Sequence, residues 1–280
     1  MSGVALITGT SSGIGLATAI AFAKAGFRSV ATLRDPAKAD ALRERAAREG
    51  VAVDVRALDV ERADSVASCV AGVLRDFDAI DVLVNNAGAG FVAALEQTSE
   101  AELRSVMEVN FFGVWRTTQA VLPAMRAAGR GRIVSVTSMG GLFGQPFNDA
   151  YCAAKFAVEG AMEALAPVAA RFGVQVALVE PGPVNTEFVA SVMRSSPVVT
   201  ATQPDAYSEL MARYRASTAN VFATLGQTGD DIARVILEAA TAAQPHFRYV
   251  TSEFARGLAA QKYVDPTGDS VVAIFGARLG

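Results

Sequence analysis

Val4-Ala5-Leu6-Ile7-Thr8-Gly9-Thr10-Ser11-Ser12-Gly13-Ile14-Gly15 is the stretch that decides how this chain folds. Its first five residues are apolar or β-branched with no polar alternation, the pattern of a strand covered on both faces. Gly9, Gly13 and Gly15 then permit a tight turn, close approach of backbone to a phosphate, and close packing of a helix on a strand. Thr10, Ser11, Ser12 and Ile14 complete the loop, and Ile14–Ala25 reads as a helix closed by Gly26. A glycine loop between a strand and a helix N-terminus is a cradle for the pyrophosphate of a dinucleotide.

The same punctuation continues. Arg28–Leu33, Val51–Ala57, Ala79–Val84, Arg132–Val136 and Val174–Val179 read as further strands, and Phe247–Ser252 as a last one. Helices are expected at Ala37–Arg48, Ala63–Asp76, Glu100–Ala128, Ala150–Phe172 and Gly229–Ala243. The implied fold is α/β: a doubly wound, mostly parallel sheet in one domain over residues 1–280. Residues 1–186 form the cofactor-binding and catalytic core, 187–225 a substrate lid, and 226–280 the final helix, strand and tail, with a turn at Asp265–Asp269. Ligands of such sheets bind beyond the strand C-termini, which is where the lid segment falls.

Composition narrows the functional classes. Twenty-five Lys and Arg against 28 Asp and Glu give a net charge of −3, with no basic stripe, which disfavours nucleic-acid binding. The apolar run at the start is far shorter than the ~20 residues of a membrane span. Cys69 and Cys152 lack disulfide or zinc spacing, so a reducing, cytoplasmic setting and no metal site are expected. His246 is the one histidine and sits in a Pro-containing turn, so histidine-based catalysis has no support.

Acid/base chemistry without histidine is available at Tyr151 and Lys155, which at i and i+4 share one helix face, with Ser138 upstream. The Lys155 charge is expected to lower the Tyr151 pKa so that the phenol can exchange a proton near neutral pH. For the dinucleotide, the second strand ends Ala31-Thr32-Leu33-Arg34-Asp35. With Leu33 in the place of a diol-binding carboxylate, and with Arg34 beside the Ser11 or Ser12 hydroxyl, a ribose 2′-phosphate is favoured, hence NADP(H) over NAD(H).

Thr8 to Gly15, Leu58-Asp59-Val60, Asn85-Asn86-Ala87-Gly88, Asn110, Ser138, Tyr151, Lys155 and Pro181-Gly182 together resemble the short-chain dehydrogenase/reductase family over nearly the whole chain. The resemblance implies that Asp59 and Val60 flank the adenine, that Asn85, Asn86, Ala87 and Gly88 shape the cofactor floor, and that Pro181, Gly182, Val184 and Thr186 hold the nicotinamide end. It implies a catalytic set of Asn110, Ser138, Tyr151 and Lys155, with Lys155 also reaching the nicotinamide ribose and Asn110 holding a relay water.

Ala31–Asp35, Gly141–Cys152, Phe156–Gly160 and Gly182-Pro183-Val184 look like the family's 17β-hydroxysteroid and photoreceptor retinol dehydrogenase subgroup. That likeness implies an apolar alcohol or ketone, most closely a steroid. The lid stretch Tyr214–Asn220 lacks the histidine with which the steroid enzyme meets the distal hydroxyl.

Candidate substrate contacts are Ser138, Tyr151, Met139, Leu142, Phe143 and Phe147, with Val184, Phe188, Val189, Met193, Tyr214 and Phe222 completing the apolar wall. Trp115 and Phe111-Phe112 read as packing or a subunit contact, and the family likeness implies a homodimer or homotetramer. A non-catalytic NADP(H) sensor is the rival reading, and the intact acid/base set argues against it. Epimerases and dehydratases of extended relatives use a similar Tyr and Lys but begin with a different glycine spacing.

Overall fold

In the computed structural model the described residues are 3–186, 192, 205–264, 267 and 269–277. Seven strands form one sheet: β1 (Val4–Thr8), β2 (Arg28–Leu33), β3 (Asp54–Ala57), β4 (Val82–Asn85), β5 (Gly131–Val136), β6 (Val174–Glu180) and β7 (Arg248–Val250). Their order is β3-β2-β1-β4-β5-β6-β7, and every neighbouring pair is parallel. The sheet is therefore wholly parallel where a mostly parallel one was expected.

The helices are α1 (Gly13–Lys24), α2 (Asp40–Arg48), α3 (Ala63–Phe77), α4 (Glu100–Met107), α5 (Gly113–Ala128), α6 (Asp149–Ala170), α7 (Ser208–Leu225), α8 (Gly229–Thr241), α9 (Glu253–Val264) and α10 (Asp269–Gly276). Among the described residues none is long and apolar enough to cross a membrane.

Successive strand residues point to opposite faces, and the two faces build two cores. Leu6, Val30, Leu83, Ile133 and Leu178 face α3, α5 and α6, meeting Val70, Val121 and Val158 among others. Ile7, Ala31, Val84, Val134 and Val179 face the other way, toward Ile20 and Phe22 of α1 and Ile232 and Ile236 of α8. Ile7 and Leu178 are wholly buried, and burial of such a side chain stabilises the fold by about 1.5–3 kcal/mol.

Several expected elements shift at their ends, α9 and α10 follow β7 where a tail was expected, and two differences are larger. Strand β3 begins at Asp54, where pairing with Val30 starts, so the apolar Val51–Val53 lies ahead of the ladder. The expected single helix Glu100–Ala128 is two helices joined by a π-helical turn, Glu108–Phe112. Asn110 is the buried residue of that turn; its side chain donates to the carbonyls of Ala89 at 2.8 Å and of Val106 at 2.9 Å.

The site follows from the topology. Chain connections leave the neighbouring strands β1 and β4 in opposite directions, toward β2 and toward β5, and the gap above their C-terminal ends is the place where an α/β sheet takes a ligand.

Candidate active site

A cavity of about 660 Å³ opens at that switch point, within the size range of small-molecule sites. The glycine loop, the group Ser138, Tyr151 and Lys155, and the face of α7 carrying Tyr214, Thr218 and Phe222 all line it.

The loop is built for close approach. Gly9 has φ +72°, and a Cβ there would sit 2.7 Å from the Ala87 Cα. A Cβ on Gly15 would lie 2.2 Å from the Gly9 carbonyl oxygen. Asn86 locks the arrangement by donating to the carbonyls of Thr8 at 2.9 Å and Gly9 at 3.0 Å, while the Thr8 hydroxyl accepts from the backbone N–H groups of Asn86 and Ala87. Gly13 faces Thr186 across the cleft. These residues fit a pyrophosphate: a cradle kept free of side chains, above a helix N-terminus.

Gly9, Ser11, Ser12, Gly13, Ile14 and Gly15 line the cavity, as do Val60, Asn86, Ala87 and Gly88. Pro181, Gly182, Val184 and Thr186 line it as well. Thr10 does not: its side chain is wholly buried and its hydroxyl donates to the Thr32 carbonyl. Asn85 is likewise buried, tied to Thr117, Thr118 and Ser135, so it fastens β4 to α5 and β5. The Asp59 carboxylate accepts from the Glu61 N–H at 3.1 Å and shapes its own loop, while its neighbours Leu58 and Val60 face the cleft.

At the end of β2, Leu33 and Arg34 reach the cavity together with Glu61. Arg34 is largely exposed, 3.6 Å from the Glu61 carboxylate. Asp35 turns away, its carboxylate accepting from the Ala37 N–H at the start of a short 3-10 turn.

Ser138, Tyr151 and Lys155, the expected catalytic trio, converge because α6 lies against the C-terminal end of β5. Lys155 is buried and its ammonium donates to the Val136 carbonyl at 3.1 Å. Tyr151, one turn earlier, is hydrogen-bonded with Ser138. Ser138 in turn accepts from the Gly140 N–H at 3.0 Å, which fixes its hydroxyl at the mouth of a 3-10 turn.

Burial pushes the Tyr151 phenol up to about 12, with Ser138 acting in the opposite direction. The Lys155 ammonium is pushed down to about 8 by burial, against a raising effect of Glu159. The expected depression of Tyr151 by Lys155 is therefore not seen. Enclosure outweighs it, and the ammonium is directed at the Val136 carbonyl, 5.7 Å from the tyrosine ring centre. Near neutral pH Tyr151 carries its proton and Lys155 its charge. Asn110 stands behind Gly88: a Cβ on Gly88 would be 2.9 Å from the Asn110 Oδ1 and 3.6 Å from the Lys155 Nζ.

Of the expected substrate wall, Met139, Val184, Tyr214 and Phe222 line the cavity. Leu142 and Phe143 do not. They are buried in a separate cluster with Ala259, because the turn after Ser138 directs them under α9. Phe147 is also turned from the cleft: it has φ +62° and packs beneath Tyr214, ring centres 5.6 Å apart. Phe188, Val189 and Met193 lie outside the described residues.

Sequence reasoning missed Gln145, Asn148, Arg215 and Thr218, which line the cleft. The signal for the last two was their spacing with Tyr214, Val221 and Phe222 on one helical face.

The sequence matches the model of the short chain dehydrogenase family over residues 3–196. Retinol dehydrogenase 8 of Bos taurus is 40% identical over 274 residues, covering 95% of this chain and 87% of that one. The 17-beta-hydroxysteroid dehydrogenase type 1 of Homo sapiens is 40% identical over 276 residues, covering 96% and 83%. A solved short-chain dehydrogenase from Streptomyces avermitilis superposes with a TM-score of 0.82 at 30% identity, over 97% of this chain and 95% of that one. The chain belongs to the short-chain dehydrogenase/reductase family and has its nucleotide-binding fold.

Proposed function

We propose that this protein is an NADP(H)-dependent oxidoreductase that interconverts a secondary alcohol and a ketone on an apolar substrate, most closely a steroid, with a retinoid or another apolar carbonyl compound as the alternative. The observation that carries this reading is the convergence of Ser138, Tyr151 and Lys155 between the glycine cradle and the α7 wall. The substrate class rests on the apolar Met139, Val184, Val221 and Phe222 along that wall, and on likeness to relatives named for retinol and a steroid. NADP(H) is supported by Arg34 at the cavity rim and by Asp35 being committed to its own turn.

The bound nicotinamide would supply or accept the hydride. The chain's own residues manage the proton and the oxygen. Ser138 accepts from the Gly140 N–H and is hydrogen-bonded with Tyr151, and on substrate binding its hydroxyl would turn its hydrogen to the substrate oxygen and stabilise charge developing there. Tyr151, protonated at neutral pH, donates to that oxygen when a ketone is reduced and accepts from it when an alcohol is oxidised. Lys155 holds a compensating charge beside the phenol in a site with little water to do so. The exposed Phe112 and Trp115 support a homodimer or homotetramer as part of the same reading.

The test is a panel of steroids, retinoids and aliphatic ketones with NADPH or NADH, followed by absorbance of the reduced nicotinamide. Tyr151→Phe is expected to lower kcat by about a thousandfold or more while NADPH still binds. Full activity in that variant removes the mechanism, and tight NADPH binding with no turnover across the panel favours the sensor.

A further inference from the structure

Behind the catalytic trio lies a buried group of charges that the mechanism above does not use. Glu159 follows Tyr151 and Lys155 at the same four-residue step on α6, so the three share one face of that helix. Lys155 reaches the Val136 carbonyl, and Glu159 accepts from the hydroxyl of the next residue, Thr137, at 2.6 Å. Ser138 is the residue after that. Two side chains one turn apart on α6 thus hold two successive residues of the segment that delivers Ser138. Gly141 leaves the room: a Cβ there would come within 3.1 Å of the Glu159 Cγ.

Glu180, at the end of β6 and wholly buried, is the second carboxyl of the group. Arg248 of β7 stands between them, its Nε 3.0 Å from Glu159 Oε2 and 3.2 Å from Glu180 Oε1. Its hydrogen bond goes to Glu159, and a second nitrogen pairs with Glu163 at 2.6 Å. Glu159 therefore receives two donors, Thr137 and Arg248, whereas neither Glu180 oxygen receives one among the described residues. Two carboxylates cannot both stay ionised side by side in a buried site. The donors assign the negative charge to Glu159 and the proton to Glu180.

We infer that Glu159 is a positioning residue of the proposed reaction: its carboxylate holds Thr137, and with it the Ser138 turn, against the helix bearing Tyr151 and Lys155, and provides the fixed counter-charge to the Lys155 ammonium, while Glu180 remains protonated beside it. This rests on the oxidoreductase reading for its kinetic consequence, though not for its charge assignment. The ionisable groups that bear on Glu159 are Lys155 and Glu163 on α6, Glu180 on β6, Arg248 on β7, and Lys262 and Tyr263 on α9. Burial raises both carboxyls of the pair, Glu180 to about 8. Glu159 in turn raises Lys155, which burial holds near 8, so loss of the Glu159 charge lowers the pH at which the ammonium is lost.

Glu159→Gln is expected to move the alkaline limb of kcat downward by about half to one pH unit, a roughly two- to fivefold loss of kcat near pH 8, with KM for the carbonyl substrate within about twofold of wild type. The pH dependence of NADPH affinity, read by nicotinamide fluorescence, moves in the same direction. Should Glu159→Gln fail to fold, Thr137→Val removes only the hydroxyl donor and is expected to lower kcat about threefold or more, with Thr137→Ser restoring it.

Infrared absorption of the unliganded protein at neutral pH should show a buried protonated carboxyl that disappears in Glu180→Gln. Wild-type pH profiles in folded Glu159→Gln overturn the inference. So does unaltered kcat in Thr137→Val, or the absence of the carboxyl band. A wild-type chain that turns over nothing on the panel would retire the oxidoreductase reading instead, and the infrared and NADPH measurements would still decide this one.

Discussion

The Lys155 ammonium lies 5.7 Å from the centre of the Tyr151 ring and spends a hydrogen bond on the Val136 carbonyl at 3.1 Å. A buried cation has been placed one helical turn from the phenol, at a cost to the fold. Its pKa falls from 10.5 to about 8 on burial, so the unfolded chain holds this proton more tightly than the folded one. The penalty is full below about pH 8 and is relieved as pH rises toward the unfolded value. Lys155→Met is therefore expected to raise unfolding free energy at pH 7 by about 1–3 kcal/mol while abolishing turnover. Denaturant melts at pH 7 and pH 10 check this: the gain should shrink at the higher pH, and a destabilised variant at pH 7 contradicts it.

Gly15 sits in the first turn of α1, where alanine is the better helix former by about 1 kcal/mol. Its missing Cβ is where the Gly9 carbonyl oxygen and the Asn86 side chain come within 2.2 and 2.4 Å. Sterics outweigh propensity here, because one obstacle is backbone in a loop held by Asn86 and Thr8. Gly15→Ala is expected to lose about 2 kcal/mol or more of stability and to weaken NADPH binding at least tenfold. Thermal melts and a nucleotide titration read both effects, and a stabilised variant with unchanged affinity would show that the loop yields.

What the sequence made legible was whatever carries its own punctuation. The apolar Val4–Thr8 run ahead of glycines, and Tyr151 one turn before Lys155, declare a strand, a glycine loop and a shared helix face without knowledge of their neighbours. Elements set by distant partners were not legible. The start of β3 depends on where Val30 meets Asp54, and the break between α4 and α5 accompanies Asn110 reaching the Ala89 carbonyl. Leu142 and Phe143 show the limit of apolarity as a guide. It announced burial, but the turn after Ser138 chose the cluster under α9 over the cleft. Glu159 and Glu180 gave no sequence signal because Arg248, which makes sense of them, is far along the chain.

On the proposed reading Arg34 meets the 2′-phosphate, with Leu33 carrying no carboxylate and Asp35 committed to its own turn. Its partner Glu61, 3.6 Å away in a solvated setting, holds it only weakly, since exposed pairs contribute about 0–1 kcal/mol. Arg34→Ala is expected to weaken NADPH binding by about 10–100-fold, the range of a charge-assisted contact, and NADH binding by less than about threefold. Parallel titrations with the two nucleotides give the answer, and equal losses for both would remove Arg34 from the phosphate site.

Helix α7 is tied to the N-terminus of α6 by a polar contact in which the Asn148 side chain donates to the Tyr214 hydroxyl at 2.8 Å. Beneath it, Phe147 holds a left-handed backbone conformation that costs a non-glycine residue on the order of 1 kcal/mol. Two contacts retain it there, the ring against Tyr214 and the carbonyl accepting from the Ala93 N–H at 2.9 Å. Tyr214→Phe keeps the ring and removes only the hydroxyl. Loss of one neutral hydrogen bond loosens α7 against the cleft by about 0.5–1.5 kcal/mol. Because Tyr214 lines the cleft and its hydroxyl is held by Asn148, the proposed reading puts the loss in substrate binding. KM for an apolar ketone is expected to rise roughly two- to tenfold with kcat within about twofold. A matched fall in kcat with unchanged KM would mean that this contact serves the reacting groups rather than the lid.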